Sequence, residues 1–237
     1  MIKSFLPLLL LFAVQSVLSQ ETFISKINIG AYEHYSRNHI IATEGGGWVI
    51  SGNFHSLTGN FFPNGFFILK YNSCGKLLWG KEFDKNLSVQ DLKLSGNGEI
   101  LLAGSLISSL SREKFLLKLD KDGNSVFGRK FNIEWRTASL NSLSLDESGN
   151  IFLTGDAHNN SADERGFEFV IKFNSEGNYI WHKGFDVGGY WGYSLVTKDG
   201  GVLIDSGRGF LYKINSNGKI EWAKYGYYGG KCEPIEV

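Results

Sequence analysis

Apolar and polar residues alternate along most of this chain with a period of two, in short runs bounded by Gly, Asn and Asp. Ser139-Leu-Asn-Ser-Leu-Ser-Leu145 is one such run, and Asp146-Glu-Ser-Gly-Asn150 follows it as a turn. Ile151 to Thr154 is a nearly continuous apolar segment. Phe167 to Phe173 alternates in part, Asn174-Ser-Glu-Gly-Asn178 turns again, and Tyr179 to Phe185 closes the set. Side chains of a strand point to alternate faces, so this pattern predicts four short strands joined by hairpins. No helical periodicity of any length interrupts it beyond the first twenty residues.

The four-strand pattern recurs. Trp48-Val-Ile-Ser-Gly52 returns as Ile100-Leu-Leu-Ala-Gly104, as Ile151-Phe-Leu-Thr-Gly155 and, degraded, as Val202-Leu-Ile-Asp-Ser206, in steps of 52, 51 and 51 residues. A second segment follows each time: FFILKYNSCGKLLW (66–79), KFLLKLDKDGNSVF (114–127), EFVIKFNSEGNYIW (168–181) and GFLYKINSNGKIEW (209–222). Gly75, Gly123, Gly177 and Gly218 share one turn position, where a hairpin with a Gly bulge needs a positive φ. Trp79, Phe127, Trp181 and Trp222 share one site on the fourth strand, and such an aromatic packs between neighbouring units. Lys81, Arg129, Lys183 and Lys224 recur two residues later.

A long fixed period of four-stranded units is the design of a β-propeller. The expected fold is therefore all-β: about four four-stranded antiparallel blades, over approximately 37–84, 85–132, 133–186 and 187–225. Phe23 to Ile29 reads as one extra N-terminal strand, because Gly30, Tyr32, Tyr35 and Ser36 repeat the spacing of Gly188, Tyr190, Tyr193 and Ser194. Stretches such as FVIKFNSEGNYIWHKGFDVGGYWGYSLVTKDGGVLI (169–204) resemble the β-propeller repeats of secreted bacterial and archaeal proteins. The Gly-x-x-x-Trp spacing (Gly75/Trp79, Gly177/Trp181, Gly218/Trp222) is similar to that of quinoprotein propellers. That likeness implies a structural docking Trp and carries over no cofactor ligands, so no cofactor is expected.

Residues 1–19 read as a signal peptide, with Lys3 as its basic start, Phe5 to Val14 as its apolar stretch, and small residues at Val17 and Ser19. The expected mature domain is 20–237, secreted, periplasmic or at the cell surface, with no membrane span. Lys and Arg number 24 and Asp and Glu 24. The charges are interspersed without a basic stripe, which argues against nucleic acid as a partner. Two cysteines, Cys74 in a turn of the first repeat and Cys232 beyond the last, are either a disulfide that ties the ends together or two free thiols.

The long segments joining second to third strands and the aromatic-rich segments joining repeats share one face. Candidate ligand-binding residues there are Tyr32, His34, Tyr35, Trp135, Arg136, Asp156, Tyr190 and Trp191. Aromatic faces beside Asp and Arg suit a glycan, a peptide or a protein surface. The five His are scattered, no metal site is expected, and Asp120-Lys-Asp-Gly-Asn124 matches the hairpin turns of the other repeats. No residue is assigned a catalytic role. The leading expectation is a non-enzymatic binding or scaffold module. The rivals are a propeller enzyme, either a quinoprotein-like oxidoreductase or a hydrolase using loop acids, and a structural part of a larger assembly that associates through unpaired blade edges.

Overall fold

The computed structural model describes residues 34–55, 65–84, 86–106, 113–133, 137–158, 166–185, 193–205, 209–225 and 233–235. They form four antiparallel sheets of strands consecutive in sequence, three with four strands and the last with five. Blade 1 comprises β1 (His34–Ala42), β2 (Trp48–His55), β3 (Gly65–Tyr71) and β4 (Leu77–Asp84). Blade 2 comprises β5 (Leu87–Leu94), β6 (Ile100–Leu106), β7 (Glu113–Leu119) and β8 (Ser125–Asn132). Blade 3 comprises β9 (Thr137–Leu145), β10 (Ile151–His158), β11 (Phe167–Phe173) and β12 (Tyr179–Phe185). Blade 4 comprises β13 (Tyr193–Val196), β14 (Val202–Asp205), β15 (Phe210–Ile214) and β16 (Ile220–Tyr225), and β17 (Glu233–Ile235) pairs onto the outer edge of β16. The architecture is a β-propeller, and no described segment is a helix long and apolar enough to cross a membrane. Among the described residues, β17 is a strand added to the four blades; residues 23–29, expected as an extra N-terminal strand, lie outside the described residues.

The first strand of each blade is the innermost. β1 lies beside β5, β5 beside β9, and β9 beside β13. Among the described residues, no comparable packing joins blade 4 to blade 1. The apolar anchors account for this arrangement, because each core is a seam between two blades. Val49, Phe66 and Ile68 pack on Val89, Leu92 and Ile100. Leu101, Leu116 and Phe127 pack on Leu143, Ile151 and Phe169. Phe152, Val170 and Phe185 pack on Val202, Ile204 and Tyr212. A strand read as nearly continuous apolar sequence is one covered on both faces.

Buried polar side chains tie the same seams. Asn53 Nδ2 donates to Val89 O at 2.9 Å, and Val89 N donates back to Asn53 Oδ1 at 2.8 Å. Asp91 Oδ2 accepts from Leu143 N at 2.8 Å. Thr154 Oγ1 donates to Ser194 Oγ at 3.0 Å, and Ser144 Oγ donates to Ser194 O at 3.1 Å.

The outer hairpins are uniform. Asp120 O accepts from Gly123 N, and the Asp120 carboxylate accepts from Asp122 N and Asn124 N. Gly75, Gly123, Gly177 and Gly218 all have φ between 74° and 82°. The Asp120 side chain is therefore occupied in capping its own turn, and hydrogen bonds from the Asn124 side chain (Nδ2 to Oδ2, 3.0 Å) and from the Asn124 and Asp122 backbone hold its carboxyl below the usual range.

Candidate functional site

The inner strands of the first three blades each carry an irregularity at one level. The register of β5 against β6 shifts between Val89 and Asp91, leaving Gln90 as the extra residue. The register of β9 against β10 shifts at Thr154/Gly155, leaving Asn141 as the extra residue. β1 shifts between Ser36 and His39. A bulge bends its strand and re-aims the side chain of the extra residue.

The anchor glycine is what admits the bulge. A Cβ on Gly155 would lie 1.9 Å from Ser139 O, and one on Gly104 would lie 2.2 Å from Ser88 O. Blade 4 has Ser206 at this repeat position, and β13 pairs with β14 without a shift.

The bulges deliver polar groups to one place. A cavity of about 450 Å³ is lined by His39 from β1, Gln90, Asp91 and Lys93 from β5, Asn141 and Ser142 from β9, and Tyr193 and Ser194 from β13. All four inner strands contribute. Asp91 is its electrostatic centre: Lys93 Nζ lies 3.3 Å from Oδ2, and His39 Nδ1 lies 3.7 Å from Oδ1. Gln90 Nε2 donates to Ser88 Oγ at 3.1 Å, while Gln90 Oε1 is buried without a hydrogen-bond partner. Tyr193 is 70% exposed at the rim. The arrangement offers an Asp–Lys ion pair with a histidine beside it and an aromatic face, which is the chemistry of a site for a polar, hydrogen-bonding ligand.

A second polar group adjoins it. Asn141 Nδ2 donates to Asp156 Oδ1 at 2.8 Å. Asp156 stands directly across from Glu168 in the β10–β11 register, so their side chains share one face of blade 3. Glu168 is 2% exposed; its Oε2 accepts from Tyr212 Oη at 2.5 Å, and its Oε1 has no hydrogen-bond partner. Burial, reinforced by the charges of Asp156 and Asp205, pushes the Glu168 carboxyl up to about 7 despite the Tyr212 hydrogen bond. Burial also raises the Tyr212 phenol, and the neighbouring Glu168 adds to the rise. No described group of His, Cys, Asp and Glu could hold a metal ion.

The expected ligand residues fall as follows. Tyr32, Trp135, Arg136, Tyr190 and Trp191 lie outside the described residues. His34 and Tyr35, expected in a segment between blades, instead begin β1, where they pair with His55 and Phe54. Asp156, expected in a loop, lies within β10, which runs on to His158 because β9 pairs with it as far as Thr137. Cys74 is an exposed free thiol, and Cys232, its partner in one of the two readings of the sequence, lies outside the described residues. Sequence reasoning missed Gln90, Asp91, Asn141 and Glu168. The one signal for the first three was the anchor glycine, which marks where the neighbouring strand must bulge.

The sequence matches no family model and no curated protein. Similarity is found among solved structures. A protein of unknown function from Bacteroides caccae is 15% identical, with a TM-score of 0.53 over 78% of this chain and 58% of that one. BamB from Moraxella catarrhalis is 12% identical, with a TM-score of 0.43 over 79% of this chain and 60% of that one. XC5397 from Xanthomonas campestris, a gluconolactonase, is 14% identical, with a TM-score of 0.46 over 76% of this chain and 59% of that one. The chain thus spans less than two thirds of the length of each. At such identities the likeness concerns the fold alone.

Proposed function

We propose that this chain is an exported β-propeller binding module whose inner-strand cavity takes a polar segment of a glycan or peptide. The observation that carries the reading is the pair of bulges that turn Gln90 and Asn141 into a cavity shared by four strands. A bulge costs ladder hydrogen bonds, and bulges concentrate where a side chain must be aimed. Gln90 lines the cavity, and a turn of its side chain brings the buried, unpartnered Oε1 to a ligand hydroxyl or amide. Export rests on the sequence of residues 1–19, from Lys3 through the apolar Phe5–Val14 stretch to Ser19.

The test is a glycan and peptide array probed with residues 20–237, with Gln90→Ala and Tyr193→Ala variants alongside. Binding that both variants weaken at least tenfold supports the cavity. Binding that neither changes moves the site elsewhere, and an array with no binder removes the reading.

A second reading, a hydrolase, draws on Glu168. A carboxyl with a pKa of about 7 beside Asp156 is suited to general acid–base work near neutral pH. Turnover of chromogenic glycosides or esters that Glu168→Gln abolishes would favour this reading. Absence of turnover across the panel would leave binding ahead.

A further inference from the structure

The contact between consecutive blades follows one rule. Lys70 Nζ and Trp79 Nε1 both donate to Lys121 O in the outer turn of blade 2, at 2.6 and 3.2 Å. Lys172 Nζ and Trp181 Nε1 both donate to Ser216 O in the outer turn of blade 4, at 3.3 and 3.2 Å. Between them, Lys118 Nζ donates to Ser175 O at 3.5 Å. There Phe127 replaces Trp, and Arg129 Nη2 donates to Glu176 O at 3.3 Å. In each case the ring lies on the turn glycine. A Cβ on Gly123, Gly177 or Gly218 would come within 3.1 Å of Trp79, 2.6 Å of Phe127 or 3.2 Å of Trp181.

Blade 4 carries the same equipment with no described turn to receive it. Lys213 and Trp222 occupy the positions of Lys172 and Trp181, and they face each other across β15–β16. Lys213 Nζ turns back onto its own blade, to Asp199 Oδ2 at 2.8 Å and Glu221 Oε2 at 3.0 Å. Trp222 is 36% exposed, and Leu195, in register with Leu203 on the same blade, is 65% exposed.

At the other end, the outer turn of blade 1 has the form of the receiving turns. Asn72 N donates to Lys76 O, Gly75 N donates to Asn72 O, and Gly75 has φ 74°. Ser73 O is the counterpart of Lys121 O and Ser216 O, and no described side chain donates to it.

We propose that the Lys213–Trp222 face of blade 4 docks the Asn72–Lys76 turn of a second copy of this chain. The occupant follows from continuity with a contact the chain already makes three times, with an aromatic ring (an indole in two of the three) and an ammonium on one side and a Gly turn with an open carbonyl on the other. Such a contact joins two different patches, so it is heterologous and adds copies head to tail, either closing a ring or extending an arc. The Lys213 ammonium exchanges part of its own-blade ion pair for Ser73 O, and the indole covers Gly75.

The experiment is light scattering after size exclusion on residues 20–237 over a concentration series, in a Cys232→Ser background. The wild-type face should give a mass above one chain that rises with concentration. Trp222→Ala should give a single-chain mass with an unchanged circular dichroism spectrum. Cys74 is exposed in the receiving turn, so a bulky maleimide on it should also give a single chain. Mixing the Trp222→Ala chain with the Cys74-blocked chain should restore a two-chain mass, because each retains the half the other lacks. A wild-type monomer at all concentrations would overturn the proposal. So would association indifferent to the Cys74 block, which would mean that two Trp222 faces meet each other, or a mixture that stays monomeric.

Discussion

Trp181 donates its indole N–H to the carbonyl of Ser216, a residue of the next blade, at 3.2 Å. The hydrogen bond sits over Gly218, so a single aromatic side chain provides both the polar and the apolar half of the seam. Trp181→Ala should destabilise the fold by about 2–4 kcal/mol, the range for a large side chain truncated at a packed interface. Trp222→Ala, at the same repeat position without a described turn over it, should cost about 1 kcal/mol or less. Urea denaturation of the two variants at low protein concentration checks the contrast.

Gly155 faces the carbonyl of Ser139, and that approach is what the bulge in β9 requires. Gly155→Ala should cost about 3 kcal/mol, because the clash is with backbone and β9 cannot yield without losing its ladder. Gly128→Ala provides the comparison. Its Cβ would meet only Leu117 Cδ1 at 3.9 Å, so the change should be neutral or stabilise by about 0.5 kcal/mol. Thermal melts of both variants, read against each other, separate the steric cost from general glycine effects.

Asn53 satisfies both the N–H and the C=O of Val89 in a buried seam. Asn53→Ala should cost about 2–4 kcal/mol, since it leaves two buried backbone groups without partners. Asn53→Asp keeps the acceptor for Val89 N but buries a carboxylate oxygen against Val89 O, so at pH 7 it should cost at least as much as Ala. Chemical denaturation at pH 7 measures the order.

Glu168 sets a pH dependence. Its carboxyl is raised from 4.5 to about 7 in the folded chain, so the folded state holds the proton more tightly than the unfolded state. The stability associated with the protonated form is complete below about 4.5 and is lost as pH rises through 7. The span is on the order of 3 kcal/mol. Glu168→Gln, which cannot ionise, should flatten this slope and be more stable than wild type at pH 8. Stability of both chains measured from pH 5 to 8 decides it: parallel curves would assign the slope to other groups.

Much of this fold is legible before any coordinates, and the reasons are local. A repeat of 51 or 52 residues restates every hairpin, and Gly123 must take a positive φ whatever surrounds it. The docking aromatics recur because each performs one local task against one turn. The seam ties are different. Asn53, Asp91 and Ser194 do the same job from different strands and repeat positions, so periodicity cannot reveal them. Asp156 reads as a loop acid because apolar alternation stops at Gly155, whereas pairing with β9 carries the strand on to His158. Gln90 reads as an ordinary polar residue in a strand. Only the register shift beside it shows that it faces the cavity.

The proposed ligand site is the cavity between the inner strands, lined by Gln90, Asp91 and Tyr193. Isothermal titration of the tightest array ligand into the wild-type chain and into Gln90→Ala tests it most directly, with melting temperatures recorded in parallel. The expected result is an affinity at least tenfold weaker in Gln90→Ala with only a small fall in melting temperature, since the side chain gives up one hydrogen bond within the chain, from Nε2 to Ser88 Oγ, and none at Oε1. Equal affinity in the two proteins would contradict the claim.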